Sequence, residues 1–290
     1  MKTISIIGVG LIGGSLATDL KRHNNVKIYG IDASPVHLQT AQHNGIIDIA
    51  LPQLTSEAAN VDMVIIATPV MTMNAVMQDL AQKLHTNSHT VITDVGSTKQ
   101  SVIDAFQCYL PQQMPYCVAG HPLAGSDKSG ASAAERGLFE RKKVVLCPHE
   151  QQHSGSLKKV QDLWHSIGAE VYLMSAQEHD RIFAATSHLP HLLAYAFMQQ
   201  IAADPQSAQL LHFAASGFRD FTRIAGSNPD MWVEICLANQ TEIATRLADY
   251  QQQLQQVADL LHRQDKAALR ALFLNAQQMR SQWHLPDAKI

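Results

Sequence analysis

Gly8, Gly10 and Gly13 stand in the run Gly8-Val9-Gly10-Leu11-Ile12-Gly13, with Asp32 placed 19 residues beyond the last of them. The chemistry this spacing suits is the binding of a dinucleotide. Gly8 permits a tight turn, Gly10 lets backbone approach a pyrophosphate, and Gly13 lets a helix pack close on a strand. Leu11 and Ile12 open that helix, whose first N–H groups are offered to phosphate oxygens. Asp32 ends a second apolar run, Tyr29-Gly30-Ile31, where its carboxylate meets the hydroxyls of an adenosine ribose. It would repel a 2′-phosphate, and no arginine follows in Ala33-Ser34-Pro35, so the expected cofactor is NAD rather than NADP.

Reacting groups for such a cofactor belong on the loops that leave the carboxyl ends of the strands. After Met63–Ala67 comes Thr68-Pro69-Val70, a turn suited to the adenine and ribose side. After Thr90–Thr93 comes Asp94-Val95-Gly96-Ser97-Thr98-Lys99, which brings a hydroxyl and a helix start to the nicotinamide side. After Cys117–Ala119 comes Gly120-His121-Pro122-Leu123-Ala124-Gly125-Ser126-Asp127. His121 is thereby set at a strand end beside the cofactor crevice, where it can take a proton from a substrate hydroxyl as hydride leaves the same carbon. An imidazole titrates near ambient pH with little tuning, and such a base contributes roughly 100- to 10,000-fold in rate.

The elements that must hold these residues fall into two parts. Thirteen of the fifteen glycines lie before residue 175, so the first part turns often and the second scarcely at all. Over residues 1–174, strand-like runs at Val26–Ile31, Met63–Ala67, Thr90–Thr93, Cys117–Ala119 and Lys143–Leu146 alternate with helical stretches, and Glu170–Leu173 reads as a last edge strand. That alternation predicts an α/β fold: a Rossmann-type, doubly wound parallel sheet. Residues 175–290 read as an all-helical domain for substrate binding and dimerisation. From Met231 to Leu285 no proline or glycine intervenes. The residues Trp232, Ile235, Cys236, Asn239, Ile243, Leu247, Tyr250, Leu254, Val257 and Leu261, falling at spacings of three and four, place one mostly apolar stripe along a single continuous helix of about eight turns. A helix that long packs against more than its own domain provides, so a homodimer through the C-terminal helices is expected.

Composition narrows the class. The 290 residues are 46% hydrophobic and 16% charged with a net charge of −3, which gives no support for nucleic-acid or membrane partners and suits a small-molecule substrate. Cys108, Cys117, Cys147 and Cys236 form no CxxC pair and no metal-ligand spacing, so no metal is expected and a reduced, cytoplasmic setting is the simplest account. Met1-Lys2 before an apolar stretch is only superficially a secretory leader, because the glycine spacing and strand-to-helix switch read as folded structure.

The fingerprint, then DVGSTK, GHPLAGSDKSG, SHLPH and DFTRIAGSNPDMW in that order, resembles the prephenate dehydrogenase family, which includes arogenate and cyclohexadienyl dehydrogenases. The resemblance spans nearly the whole chain. It implies oxidation of prephenate or arogenate by NAD or NADP with loss of carbon dioxide, giving 4-hydroxyphenylpyruvate or tyrosine. It further implies that His121 is the base on the ring hydroxyl and that Ser97 hydrogen-bonds both that histidine and the substrate. Arg223 resembles the arginine that holds a substrate carboxylate, and His191 a further substrate contact, while His188 supports the fold. Ser126 and Asp127 resemble a polar pair at the pocket mouth, where Asp127 disfavours the pyruvyl end of prephenate and suits the ammonium of arogenate. Trp232 matches a tryptophan that reaches the neighbouring subunit's site, and His179 takes a structural or electrostatic role. Two alternatives stay open on the residues alone: a β-hydroxyacid dehydrogenase or imine reductase of similar architecture, and a non-catalytic NAD-binding sensor.

Overall fold

Short apolar runs such as Met63-Val64-Ile65-Ile66, with no polar alternation, belong in the middle of a sheet covered on both faces. The computed structural model, which describes residues 1–125 and 130–283, places them there. Its strands are β1 (Thr3–Ile7), β2 (Lys27–Ile31), β3 (Ile49–Leu51), β4 (Met63–Ile66), β5 (Val91–Asp94), β6 (Cys117–Pro122), β7 (Lys143–Cys147) and β8 (Glu170–Leu173). Among the described residues they form one eight-stranded sheet in the order β3-β2-β1-β4-β5-β6-β7-β8. The order reverses beside β1, so the crevice for a dinucleotide opens at the carboxyl ends of β1 and β4.

Helices cover both faces: α1 (Leu11–His23), α2 (Pro35–His43), α3 (Ser56–Ala59), α4 (Met73–Lys83), α5 (Gln100–Tyr109) and α6 (Ser154–Ser166). Side chains along each strand alternate between two apolar cores. Ile4, Ile6 and Ile65 join Leu16, Leu20, Phe139 and Trp164 on one side. Ile7, Val64 and Ile66 join Met77, Leu80 and Phe106 on the other.

Two features of the sheet differ from the sequence expectation. Strand β3 is an addition to the expected strands, being three half-buried residues too short to show a period. The sheet is also not wholly parallel, since β7 runs antiparallel to β6. The segment between them holds only the 3-10 turn Ala131–Ala133 among its described residues, with no crossover helix to carry the chain back for a parallel return.

Beyond β8 the chain is helical: α7 (Ala176–Phe183), α8 (Leu189–Ala203), α9 (Ser207–His212), α10 (Ser216–Thr222), α11 (Pro229–Ala238), α12 (Gln240–His262) and α13 (Lys266–Gln282). A π-helical turn, Ala184–His188, joins α7 to α8. Pro190 in the first turn of α8 explains it, because proline lacks the N–H that the regular ladder needs and its ring crowds the preceding turn. The single long helix expected after Met231 is interrupted at Asn239, which adopts φ −118° and ψ 32° between α11 and α12. Its side chain is committed to a buried network described below, and that commitment outweighs helical continuity.

The chain divides into two compact units, Met1–Glu242 and Ile243–Ile290. In the second, Gln264 takes a positive φ of 53° at the turn into α13, and Asp265 caps that helix by accepting from the Ala268 N–H. Leu254, Leu261, Phe273 and Met279 of this unit are exposed.

Candidate active site

The glycine loop follows β1 as the motif requires. Gly8 has φ +96°, and a Cβ on Gly13 would meet the Gly8 carbonyl oxygen at 2.0 Å, so close packing of α1 on the turn depends on both residues. Gly10 instead faces open space, with nothing within 4 Å of a Cβ built on it. No side chain caps α1 and no acidic residue stands in its first turn, which leaves its N–H groups for an anion; Leu11 is buried there and Ile12 half-buried. Asp32 accepts from the Val9 N–H at 2.9 Å and from the Ser34 N–H at 2.8 Å, fixing its carboxylate beside the loop. Thr68, past β4, has a buried hydroxyl oxygen with no partner, and Pro69 beside it is exposed. An open glycine, an uncapped helix start, a fixed carboxylate and an unpartnered hydroxyl around one crevice fit a dinucleotide.

A buried ion pair organises the next loop. Lys99 and Asp94 are both 0% exposed, and the Lys99 ammonium donates to the Asp94 carboxylate and to the Gly120 carbonyl. The same carboxylate accepts from Gly96 N–H at 2.8 Å and from Gly120 N–H at 2.9 Å. Gly120 is thus held on both its N–H and its C=O, which fixes the backbone that enters His121. Ser97 lies half-buried on the loop this pair anchors. Asp94 and Lys99 of DVGSTK carry no role in the sequence reading; their signal is a carboxylate and an amine bracketing a glycine at a strand end.

His121 is half-buried, and its Nδ1 lies 2.8 Å from Nε2 of the fully buried His179. His179 Nδ1 in turn lies 2.7 Å from an Asp180 carboxylate oxygen. That carboxylate also accepts from the N–H groups of Lys99 at 2.8 Å and Gln100 at 2.9 Å, where α5 begins. Phe183 packs against both imidazoles, at 5.1 Å and 4.4 Å between ring centroids. Burial holds His121 well below the ordinary histidine range, and the neighbouring His179, Lys99 and His188 add to the effect. His179 is lowered by burial, against which Asp180 pulls upward. Burial would raise the Asp180 carboxyl, but the hydrogen bonds from His179, Gln100 and Lys99 outweigh it and keep Asp180 below its usual value.

The helices behind this line hold the remaining candidates. Asn239 donates to the Asp180 backbone carbonyl at 2.9 Å and lies 3.1 Å from His188 Nδ1. His188 is buried as a fold residue, and that burial pushes its pKa down to about 4. His191 stacks on Trp232 with ring centroids 3.7 Å apart, and its Nδ1–H donates to the Ser187 carbonyl at 2.8 Å. Trp232 is buried against its own chain's His191, whereas the resemblance places that tryptophan at a neighbouring subunit's site. Arg223 opens the 3-10 turn Arg223–Gly226 and is exposed. The Tyr195 hydroxyl donates to the Ser227 carbonyl at 2.6 Å, tying the end of that turn to α8. Arg219 is taken by Asp220, while Arg223 has no carboxylate partner among the described residues. Among those residues no hydrogen bond, ion pair or ring contact joins Ser97 or Arg223 to His121. Ser126 and Asp127 lie outside the described residues.

A Rossmann sheet with a glycine loop open to a diphosphate, and a neutral histidine at the end of β6, defines a nucleotide-dependent dehydrogenase. Comparison with known proteins sharpens the class. The family model described as prephenate dehydrogenase, nucleotide-binding domain, matches residues 16–173, and that described as prephenate dehydrogenase, dimerization domain, matches residues 175–275. The chain belongs to the prephenate dehydrogenase family, NAD-dependent oxidoreductases of tyrosine biosynthesis. It is 36% identical over 280 residues to a prephenate dehydrogenase of Bacillus subtilis, covering 96% of this chain and 75% of that protein. A cyclohexadienyl dehydrogenase of Zymomonas mobilis is 32% identical, over 96% of this chain and 95% of its own. Among solved structures, the A. aeolicus prephenate dehydrogenase in complex with hydroxyphenyl propionate and NAD+ superposes with a TM-score of 0.88 at 31% identity, covering 97% of this chain and 98% of that one. Among the described residues no helix is long and apolar enough to cross a membrane.

Proposed function

We propose that this chain oxidises prephenate, arogenate or both with NAD, releasing carbon dioxide and giving 4-hydroxyphenylpyruvate or tyrosine, with His121 as the base on the ring hydroxyl. The observation that carries the reading is His121 itself: a neutral imidazole at a strand end, its backbone clamped through Gly120 to Asp94 and Lys99, its Nδ1 engaged by His179. Bound NAD supplies the hydride acceptor. Gly8, Gly10, Gly13, Leu11 and Ile12 would hold the diphosphate, Asp32 the adenosine ribose, and Thr68, Pro69 and Gly96 the walls of the crevice. His121 accepts the hydroxyl proton as hydride leaves the same carbon; the dienone then expels the ring carboxylate and becomes aromatic, which makes the step effectively irreversible.

The substrate is a carboxylate dianion when it is prephenate, so it needs a fixed cation. Arg223 serves that role, because a planar guanidinium binds both oxygens of a carboxylate and no described carboxylate already occupies it. His191, kept upright by Trp232, is a further substrate contact, Ser97 hydrogen-bonds the reacting hydroxyl, and Ser126 and Asp127, which lie outside the described residues, keep the substrate-binding role that the resemblance implies. We assign residues 1–174 to the dinucleotide-binding domain and 175–290 to the substrate and dimerisation domain. The protein works as a cytoplasmic homodimer, which the exposed apolar residues Leu254, Leu261, Phe273 and Met279 of its C-terminal helices support. Steady-state kinetics with prephenate and arogenate, each with NAD and NADP, test the reading. Turnover of either acid with NAD is expected; turnover of 3-hydroxyacids alone, or tight NAD binding without turnover, would contradict it.

A further inference from the structure

We infer that His179, held by Asp180, is a positioning residue of the reaction: it fixes His121 with its lone pair on Nε2 and takes up the His121 Nδ1 proton as that base becomes charged. The proposal rests on the reading of His121 as the base.

The hydrogen bonds determine the tautomers in sequence. The Asp180 carboxylate accepts two backbone N–H groups at the start of α5, where a negative charge is favoured, so it is an ionised acceptor. The group opposite it at 2.7 Å, His179 Nδ1, must therefore be the donor. A neutral imidazole with its proton on Nδ1 has an acceptor at Nε2. The ring nitrogen 2.8 Å from that acceptor is His121 Nδ1, which then carries the proton, and the lone pair of His121 falls on Nε2. A histidine buried merely to fill the core would not need both its nitrogens spent in this direction.

The proton balance follows the same line. The substrate O–H bond breaks and an N–H bond forms at His121 Nε2; the His121 Nδ1–H bond breaks and an N–H bond forms at His179 Nε2. His121 ends neutral and His179 ends as an imidazolium whose Nδ1–H still points at Asp180. The charged groups around the pair favour this resting place. Lys99 at the start of α5 opposes a cation on either ring, His188 on the π turn disfavours one on His121, and Asp94 on β5 favours one on His179. Asp180 alone touches an imidazole directly, and the one it touches is His179. Burial lowers His121 strongly, whereas at His179 the Asp180 hydrogen bond pulls upward. Asn239 holds the Asp180 backbone from the break between α11 and α12, so the second ring is anchored from two sides.

The test compares wild type, His121→Asn, His179→Gln and His179→Leu by kinetics, NAD binding and nitrogen NMR of the histidine rings. A glutamine oxygen can still accept from His121 Nδ1–H but cannot become cationic, so His179→Gln is expected to lose about 10- to 100-fold in kcat with substrate KM within about twofold. Leucine removes the acceptor, and His179→Leu is expected to lose about 1,000-fold or more, by analogy with the wrong-tautomer effect in catalytic triads. The wild-type spectrum should show His121 protonated on Nδ1, a signature a merely structural His179 would not set, and His179→Leu should lose that preference while His179→Gln keeps it. Wild-type His121 protonated on Nε2, or full kcat in His179→Gln, overturns the proposal even if the leucine variant does not fold. Turnover abolished in His121→Asn but intact in His179→Leu overturns the proposal alone. A wild-type enzyme that turns over neither acid overturns the parent reading as well.

Discussion

His191 lies nearly flat on Trp232, with 3.7 Å between ring centroids and 19° between the planes. The stack unites the second histidine of SHLPH on α8 with the tryptophan of PDMW on α11, two motifs about forty residues apart in the chain, and so gives His191 a fixed orientation. Trp232→Ala should therefore act twice. Removing a buried indole costs about 3–5 kcal/mol, read as a lower thermal midpoint. Freeing His191 should also raise the substrate KM about 3- to 10-fold, the worth of an aromatic stack. Trp232→Phe should recover most of both, and an unchanged KM in a folded Trp232→Ala protein would remove His191 from the site.

The glycine loop separates binding from folding. Gly10 faces open space, so Gly10→Ala should melt like wild type yet bind NAD at least tenfold more weakly, because the new methyl stands where the diphosphate must approach. Gly13→Ala should destabilise the fold itself, since its Cβ would meet the Gly8 carbonyl oxygen at 2.0 Å. Thermal melts and equilibrium NAD titration of both variants check the pair.

Much of this was legible in the sequence, for physical reasons. Asp32, Gly8 and Gly13 act through the backbone next to them, so their spacing alone specified the turn, and the buried strands declared themselves by unbroken apolar runs. The direction of β7 was not legible, because it depends on a connection that holds no crossover helix among its described residues. The break at Asn239 was hidden as well, because asparagine is tolerated in helices and only the distant Asp180 and His188 reveal why the chain turns there. The His121–His179 contact joins residues 58 positions apart and the bond from the Lys99 N–H to Asp180 joins residues 81 apart, and no local period records such contacts.

Lys99 tests the frame of the site. Lys99→Met leaves the Asp94 carboxylate buried without its cation, and breaking such a pair costs about 3–5 kcal/mol. The expected result is a markedly lower urea midpoint, partly restored in the double variant Lys99→Met with Asp94→Asn. A midpoint within experimental error of wild type would show that the pair does not hold the loop.

Acid should both destabilise and silence the protein. His188 is buried neutral with a pKa of about 4, against 6.5 when unfolded, so the unfolded chain binds the extra proton between those values. Stability from this group is complete above 6.5 and lost as pH falls toward 4, of the order of 3 kcal/mol in all. His121, held well below 6.5, should stay a competent base down to lower pH, which places the acid limb of kcat/KM below 6.5. Thermal midpoints and rates across that range read the two effects separately.

The central claim is that His121 is the base, and His121→Asn tests it most directly. Measured with prephenate and NAD, kcat should fall by roughly two to four orders of magnitude while the NAD dissociation constant stays within about twofold of wild type. A folded His121→Asn enzyme whose kcat remains within a few-fold of wild type would contradict the account.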